Sequence, residues 1–446
     1  MPANRLMTAG LLLCVLAVAF ETQAVLTAMP AAADDLGDLH LYAWAFTAVM
    51  IPQIVAIAVA GRWCDTRGPL PAFSTGLVLF AVGIVIAALA PTMAVLLVGR
   101  VVQGLGAGGI NLSLMVVTGR AYAPADRARV MTWFSACWML PSFLGPVVAA
   151  WLSENLSWHW VFWSVLPFLA LGAAFLLPGL VRLPHHGETG DGDHVPVHAA
   201  LGVAVGIALI QVAGQRLEPL SVLWALLGFV ALGVWARRLM PRGFSLTGAG
   251  LSSTVLARLV TAGSFMGMQA FLPLMLVQRG ASLLVAGAAI TVASVGWMAG
   301  SWLQSRPWLL LSRDRIIVLG AVCVAAGLAV VTLGAGGVAG GAWLPVAGFT
   351  VAGLGMGLAT ASTSLVVMQL SPVVELGRNT SSLQVGEMLG NALLAGAAGT
   401  LFAALGPRGS TELTFGSIAG LLTATALLAV LIASRIGHVQ NHSARV

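Results

Sequence analysis

The residues in this sequence that could do chemistry are a few charged side chains inside long apolar segments. Glu21 and Glu387 are the only carboxylates deep within such segments, and Arg100 and Gln103 stand at the start of the glycine-rich segment 99–118. A charge near the centre of a bilayer costs about 3 kcal/mol on insertion scales, so a chain keeps it inside a helix bundle, paired or facing water. Carboxylates in such positions are typical of proton relays.

Glu21 and Arg100 are predicted to form an ion pair. Counted at 1.5 Å per residue from Pro30 and Pro91, each lies about 13 Å below the predicted external face. A buried carboxyl group favours its neutral form, and a neighbouring guanidinium favours the carboxylate. A substrate that disturbs this balance would load or release a proton. Two alternatives stay open: a static pair that only fixes the bundle, and an Arg100 side chain that extends to the membrane surface.

Glu387 is predicted to lie about a third of the way into its segment from the cytoplasmic side. It is a candidate for a second site of proton coupling or for an anchor that holds a cationic substrate. A protonated Glu387, hydrogen-bonded within a helix interface, is the alternative.

The composition is that of a protein that crosses a membrane many times. Of the 446 residues, 59% are hydrophobic and 8% charged, whereas soluble proteins carry about 25% charged residues. The net charge of +6 comes from 21 basic residues that are all arginine. In a chain this apolar they indicate topology rather than nucleic-acid binding. The four cysteines have neither the spacing of a metal site nor that of a disulfide framework.

Fourteen segments are apolar and long enough to span a bilayer, which needs about 20 residues. They lie near 8–30, 41–61, 70–90, 92–118, 129–152, 159–181, 197–215, 220–240, 252–276, 281–303, 315–335, 342–369, 380–404 and 413–434. With both termini in the cytoplasm, sixteen of the 21 arginines fall in cytoplasmic segments, three in external loops and two within spans. Basic residues are enriched in cytoplasmic loops, so this distribution supports the orientation and an even number of spans.

An internal repeat indicates two halves. The fourth span contains GLGAGGINLSLMVV from Gly104, and the twelfth contains GLGMGLATASTSLVV from Gly353. Transporters built from repeats bind their substrate near the membrane midplane between the halves. Arg100 has no charged equivalent in the second half, where Phe349 takes its place. This asymmetry favours a functional role for Arg100.

The repeat predicts three parts of the chain. Residues 1–182 form an N-terminal six-helix half, and residues 245–446 form a C-terminal six-helix half with a short cytoplasmic tail. Residues 183–244 form a cytoplasmic linker and two inserted transmembrane helices.

Several short motifs stand in order along the chain. They are AMPAAADDL at 28–36, GRWCDTRG at 61–68, RVVQG at 100–104, PSFLGPVVAA at 141–150, WHWVF at 158–162 and FLPL at 271–274. Over nearly the whole chain, this series resembles the major facilitator superfamily, and specifically its fourteen-span drug:proton antiporter group. The antiporter signature at 141–150 departs from the family pattern, because only its Gly-Pro, at Gly145 and Pro146, is kept.

The resemblance implies a gate at the cytoplasmic end of span two and a helix kink at Gly145 and Pro146. The gate would join Asp65, between Gly61 and Gly68, to an arginine near the loop after span four, for which the candidates are Arg120, Arg127 and Arg129. An Asp65 that is only a charge at a helix end is the alternative.

We further predict a substrate cavity of polar, aromatic and methionine side chains. Its candidate residues are Gln23, Gln103, Asn111, Trp138, Phe265, Met268, Gln269, Phe271 and Asn391. Phenylalanine and methionine side chains that pack in the core or against lipid are the alternative. A histidine-rich stretch has surroundings typical of a solvated loop rather than a metal site, and no metal is expected. Its histidines are His185, His186, His194 and His198.

The resemblance implies the major facilitator fold and a proton-coupled secondary transporter that exports a lipophilic small molecule, cationic ones included, by alternating access. We expect no enzyme activity, no cofactor, the proton gradient as energy source, no nucleic-acid partner, and a monomer in the plasma membrane of a bacterium. Two alternatives keep the fold: a transporter for a lipid, amino acid or other metabolite, and an uptake transporter. A membrane enzyme or a sensor is disfavoured, because the sequence has no cluster of nucleophiles and no soluble output domain.

Overall fold

The structure is a computed structural model that describes residues 5–122, 124–182, 196–216, 219–306, 308–337, 343–372, 375–406 and 409–440. The described residues form helices joined by turns and short connections, with no β-strand among them. The helices are α1 Arg5–Asp35, α2 Trp44–Arg67, α3 Pro69–Ala88, α4 Met93–Ala121, α5 Pro124–Asn155, α6 His159–Trp163, α7 Val165–Val181, α8 Val197–Arg216, α9 Pro219–Leu239, α10 Leu251–Gln278, α11 Leu283–Leu303, α12 Arg313–Ala335, α13 Trp343–Leu370, α14 Leu376–Leu405 and α15 Thr411–Ala433.

Within the described residues, fourteen helical segments are long and apolar enough to cross a membrane. This confirms the number of spans predicted from the sequence, and with it the all-α polytopic fold class. The short helix α6 and the helix α7 together form one span, His159–Val181. Helix α5 begins at Pro124 and ends at Asn155.

Local sequence sets where several helices begin and end. Thr92, Ser282 and Ser410 each precede a helix, and each side-chain oxygen accepts a hydrogen bond from the backbone N–H three residues later, at 3.2 to 3.4 Å. Such capping satisfies an N–H group that has no partner in the first turn. Gly68 separates α2 from α3 with a φ of +81°, a left-handed conformation that favours glycine.

The chain divides into two compact units, Met1–Ala204 and Val205–Val446. In the first unit α1 packs on α5 and α7, and α4 packs on α2 and α3. In the second unit α10 packs on α14 and α15, and α13 packs on α11 and α12. The same six-helix arrangement therefore occurs twice, with α8 and α9 in addition. The predicted three-part division at residues 182 and 244 stays a prediction.

Glycines at matching places of the two units allow this arrangement. Gly104 of α4 lies against the carbonyl oxygen of Val49 on α2, and Gly353 of α13 lies against the carbonyl oxygen of Ala293 on α11. A Cβ atom at either glycine would collide with that oxygen. Small residues let membrane helices approach closely, so the repeated glycine sequence produces a repeated contact.

Candidate functional site

A buried cluster of polar side chains joins α1, α2 and α4 in the first unit. Arg100 Nη1 donates hydrogen bonds to Glu21 Oε1 and to Gln103 Oε1, the second at 3.0 Å. Arg100 Nε donates to the Ala45 carbonyl oxygen at 2.9 Å. Gln103 Nε2 donates to Glu21 Oε1 at 3.4 Å. One guanidinium thus contacts a carboxylate on α1, a backbone oxygen on α2 and an amide on its own helix.

This cluster is almost closed within the first unit. The side chains of Arg100 and Glu21 are 5% and 3% exposed, and Gln103 is fully buried. A buried charge needs a partner charge and further hydrogen bonds, because both ions lose their hydration. Arg100 and Gln103 supply these to Glu21. The part of Glu21 in proton coupling stays a prediction.

A second buried ion pair lies in the second unit, where α10, α13 and α14 meet. Arg258 Nη2 donates to Glu387 Oε2 at 2.8 Å. Arg258 Nη1 donates to the Thr360 carbonyl oxygen at 2.6 Å and to Thr363 Oγ1 at 2.8 Å. Its Nε has no hydrogen-bond partner within the described part of the chain. The side chain of Arg258 is 8% exposed and that of Glu387 is 23% exposed, so this carboxylate is the more accessible of the two.

Arg258 is the residue that the sequence did not single out. It is one of only two arginines within the predicted spans, and this rarity could have identified it as a candidate site residue. Glu387 lies on another span, 129 residues after Arg258. The spacing of residues along one helix does not show which side chain of a distant helix they contact.

At the position that matches Arg100, the second unit has an aromatic stack. Phe349 of α13 stacks on Phe265 of α10, with ring centroids 4.6 Å apart and an angle of 10° between the planes. Phe265 also meets Trp297 of α11 edge-on, with centroids 5.6 Å apart. The charge is therefore replaced by apolar packing at this place.

The predicted gate residues lie at the end of α2 and at the end of α4. Arg120 Nη2 donates to the carbonyl oxygen of Cys64 at 3.1 Å, directly next to Asp65 in the chain. Gly68 makes the left-handed turn after Asp65, and a Cβ atom at Gly61 would meet Leu112 at 3.4 Å. The side chains of the other two candidates, Arg127 and Arg129, lie outside the described residues.

The remaining cavity candidates have different environments. Gln23 of α1 donates through Nε2 to Ser142 Oγ of α5 at 2.8 Å. Gly145 and Pro146, where a kink is predicted, lie within the single helix α5. A Cβ atom at Gly145 would lie 3.4 Å from Gln23 Cβ. Asn111, Trp138 and Asn391 are partly buried.

The span-nine candidates on α10 are buried inside the second unit. Phe265 is 2% exposed, Met268 and Phe271 are fully buried, and Gln269 is 5% exposed. Phe271 also contacts Phe402 of α14, with ring centroids 5.6 Å apart. These contacts are those of packed core residues, and the proposed part of these side chains in substrate binding stays a prediction.

Among the described residues, no group of three or more histidine, cysteine, aspartate or glutamate side chains could hold a metal ion. In the histidine-rich stretch, His198 is exposed at the start of α8. His185, His186 and His194 lie outside the described residues.

The model of the Major Facilitator Superfamily matches residues 11–339 of the chain. The chain belongs to the major facilitator superfamily. It is a multi-pass membrane protein, with fourteen helical segments among its described residues that are long and apolar enough to cross a membrane, and its family is one of transporters, a class that is not enzymatic.

Curated members of the major facilitator superfamily include several similar proteins. The chain is 30% identical to Multidrug resistance protein 3 of Bacillus subtilis over 175 residues, which is 39% of this chain and 34% of that protein. It is 25% identical to the Multidrug efflux pump SdrM of Staphylococcus aureus over 317 residues, 70% of this chain and 71% of that protein. It is 25% identical to the Multidrug resistance protein B homolog of Mycobacterium tuberculosis over 429 residues, 87% of this chain and 74% of that protein. The match to the first covers about a third of that relative's length.

Solved structures of two other transporters have the same fold. An auto-inhibited POT family peptide transporter superposes with a TM-score of 0.68 at 16% identity, covering 98% of both chains. A D-xylose-proton symporter superposes with a TM-score of 0.64 at 15% identity, covering 97% of both chains. At this identity the likeness concerns the major facilitator fold alone.

Proposed function

We propose that this major facilitator protein is a proton-coupled exporter of lipophilic small molecules, cationic ones included. The names of its relatives in bacteria support export of drugs. The single observation that carries proton coupling is the closed Glu21–Arg100–Gln103 cluster. The proposal places the protein in the plasma membrane of a bacterium, as a monomer with both termini in the cytoplasm.

The proton would bind to Glu21. In the closed cluster the guanidinium of Arg100 contacts the carboxyl group of Glu21. A change of conformation that draws Arg100 away would leave a buried carboxylate without its partner, and proton uptake removes the cost of that charge. Return of Arg100 would expel the proton. Alternating access then couples this exchange to movement of the substrate.

Glu387 is proposed to meet the cationic group of the substrate. Its carboxylate is partly exposed and has one described ion-pair partner, Arg258. A substrate cation that contacts Glu387 would replace part of that interaction at low cost, because the carboxylate keeps a counter-charge in both states.

The decisive experiment is transport of the lipophilic cation tetraphenylphosphonium into proteoliposomes with an imposed pH gradient. An exporter that exchanges the cation for protons accumulates it when the lumen is acid, and protein-free liposomes give the background. Glu21→Gln should abolish this accumulation but keep counterflow exchange, because glutamine resembles the protonated acid. The matched control is Glu154→Gln, at the exposed end of α5, which should behave as wild type.

Two results would contradict the proposal. Full gradient-driven accumulation by Glu21→Gln would remove Glu21 as the proton site and leave Glu387 as the next candidate. Accumulation only when the bath is acid would indicate an uptake transporter.

Asp65 is proposed to act in the cytoplasmic gate. Asp65→Asn should lower the turnover number severalfold and leave the affinity for tetraphenylphosphonium unchanged, because a gate acts on conformational steps rather than on binding. Asp38→Asn, in the connection between α1 and α2, is the control. A loss of binding in Asp65→Asn would exclude a role confined to gating.

A further inference from the structure

The inserted helices α8 and α9 form a cleft together with α14 inside the second unit. Helix α8 lies between the other two helices, since Gly206 of α8 packs against Gly228 of α9 and Gly214 of α8 packs against Thr400 of α14. The cleft has a volume of about 590 Å³ and is open on one side. Neither the family nor the proposed transport mechanism gives this space a use.

The polarity of the cleft changes along its length. Its polar side chains, Gln211, Ser221 and Thr400, all lie within a few residues of a span end, at the side of the membrane where α8 connects to α9. Gln211 is 2% exposed and Ser221 is 7% exposed. Further into the membrane the lining is wholly apolar, and includes Ile207 and Leu393. The cleft therefore has a polar end at the membrane surface and an apolar end towards its centre.

The length of the cleft is close to that of one leaflet. The lining runs from Ile207 to Gly214 on α8 and from Ala392 to Leu401 on α14, which at 1.5 Å per residue is about 10 to 14 Å. Half of a hydrocarbon core of about 30 Å is about 15 Å. Length and polarity together match a lipid tail that hangs from the ester region of the bilayer.

The surroundings of the cleft also indicate lipid. Helix α9 presents large apolar side chains outward: Val222 is 64% exposed, Leu226 58% and Phe229 61%. A span with such a surface is in contact with acyl chains, because a contiguous apolar face of this kind is not stable in water. Val222 also lines the cleft, so the cleft reaches this apolar outer surface.

We propose that the cleft binds one acyl chain of a phospholipid from the leaflet at the α8–α9 connection. The ester group lies at the polar end of the cleft, beside Gln211, Ser221 and Thr400. The chain fills the apolar part by van der Waals packing, the interaction that holds membrane helices together. This lipid fixes the inserted helices to the second unit.

The test is photolabelling of the full-length protein in liposomes of phosphatidylethanolamine and phosphatidylglycerol. A trace phospholipid carries a diazirine near the end of one acyl chain, and mass spectrometry locates the labelled peptides. The label should concentrate on the deep end of the cleft, at the segments that contain Ile207 and Leu393. Ala225→Phe and Ala397→Phe fill the cleft from opposite sides, and each should lose most of this label.

The matched control is Ala231→Phe, which makes the same substitution on α9 outside the cleft and should keep the label. Because there are two filling variants, the test remains decisive if gel filtration shows that one of them does not fold. Label spread evenly over the outer face of α9, or unchanged in the folded filling variants, would overturn the proposal. Displacement of the label by excess tetraphenylphosphonium would also overturn it, because the occupant would then be a transported cation rather than a lipid.

Discussion

The two ion pairs of this protein join different pairs of helices in the two units. In the first unit the acid, Glu21, is on α1 and the base, Arg100, is on α4. In the second unit the base, Arg258, is on α10, which corresponds to α1, and the acid, Glu387, is on α14, which corresponds to α5. The place that matches Arg100 holds Phe349, stacked on an aromatic ring.

This difference shows that packing repeats between the units while chemistry does not. Helix contacts at Gly104 and Gly353 are alike because both helices need a small residue there. The charged residues do not form these close helix contacts, so their positions differ between the units and each unit has a different ion pair. The pair Glu21–Arg100 is closed, whereas Glu387 is partly exposed, and this difference underlies the separate roles proposed for the two acids.

The largest expected effect is that of removing one arginine. Arg100→Ala should destabilise the protein by about 3 to 5 kcal/mol, because it leaves a buried carboxylate without a partner. Arg258→Ala should cost roughly half as much, since the Glu387 side chain is 23% exposed and is able to gain water. Thermal unfolding in detergent with each variant measures both, and equal losses would contradict the distinction between a closed and an open pair.

Neutralising the two acids should separate their roles. Glu387→Gln should keep gradient-driven accumulation and raise the KM for tetraphenylphosphonium about tenfold, equivalent to about 1.4 kcal/mol. For a neutral lipophilic substrate its KM should stay close to wild type. Initial rates in proteoliposomes, compared with those of Glu21→Gln, provide the test. Loss of gradient-driven transport in both variants would assign protons to both sites.

The matching glycines should respond alike. Gly104→Ala and Gly353→Ala each place a Cβ against a carbonyl oxygen of the adjacent helix, and overpacking of this kind costs about 1 to 3 kcal/mol. The two losses in thermal stability should agree closely. Gly233→Ala, where a Cβ meets nothing within 4 Å, is the control and should cause no loss. Unequal losses of stability at Gly104 and Gly353 would show that the repeated sequence does not form an equivalent helix contact in the two units.

The smallest difference is expected between two conservative substitutions. Arg258 forms its described hydrogen bonds only through Nη1 and Nη2, so a single lysine ammonium is able to replace much of them. Arg100 also uses Nε to reach the Ala45 carbonyl oxygen, which an ammonium on a flexible chain cannot reproduce at the same time. Transport should therefore be restored more fully in Arg258→Lys than in Arg100→Lys. The reverse order would show that the terminal nitrogens alone explain the Arg100 site.

The number of spans and the fold class follow from the sequence alone. These follow from composition and from the fixed rise of a helix, because the bilayer requires a certain length of apolar chain wherever it is crossed. The repeat of glycines around Gly104 and Gly353 likewise predicts the repeated helix packing.

Apart from the predicted Glu21–Arg100 pair, the contacts between distant side chains depend on the tertiary structure. The Arg258–Glu387 pair, the burial of Phe265 inside the second unit and the cleft at Gln211 depend on how each helix is rotated about its axis. In a soluble protein an apolar stripe indicates that rotation, but a span such as α10 is apolar on nearly every side and has no such stripe. Rotation is then set by small residues and polar contacts between neighbouring helices, and those exist only in the folded protein.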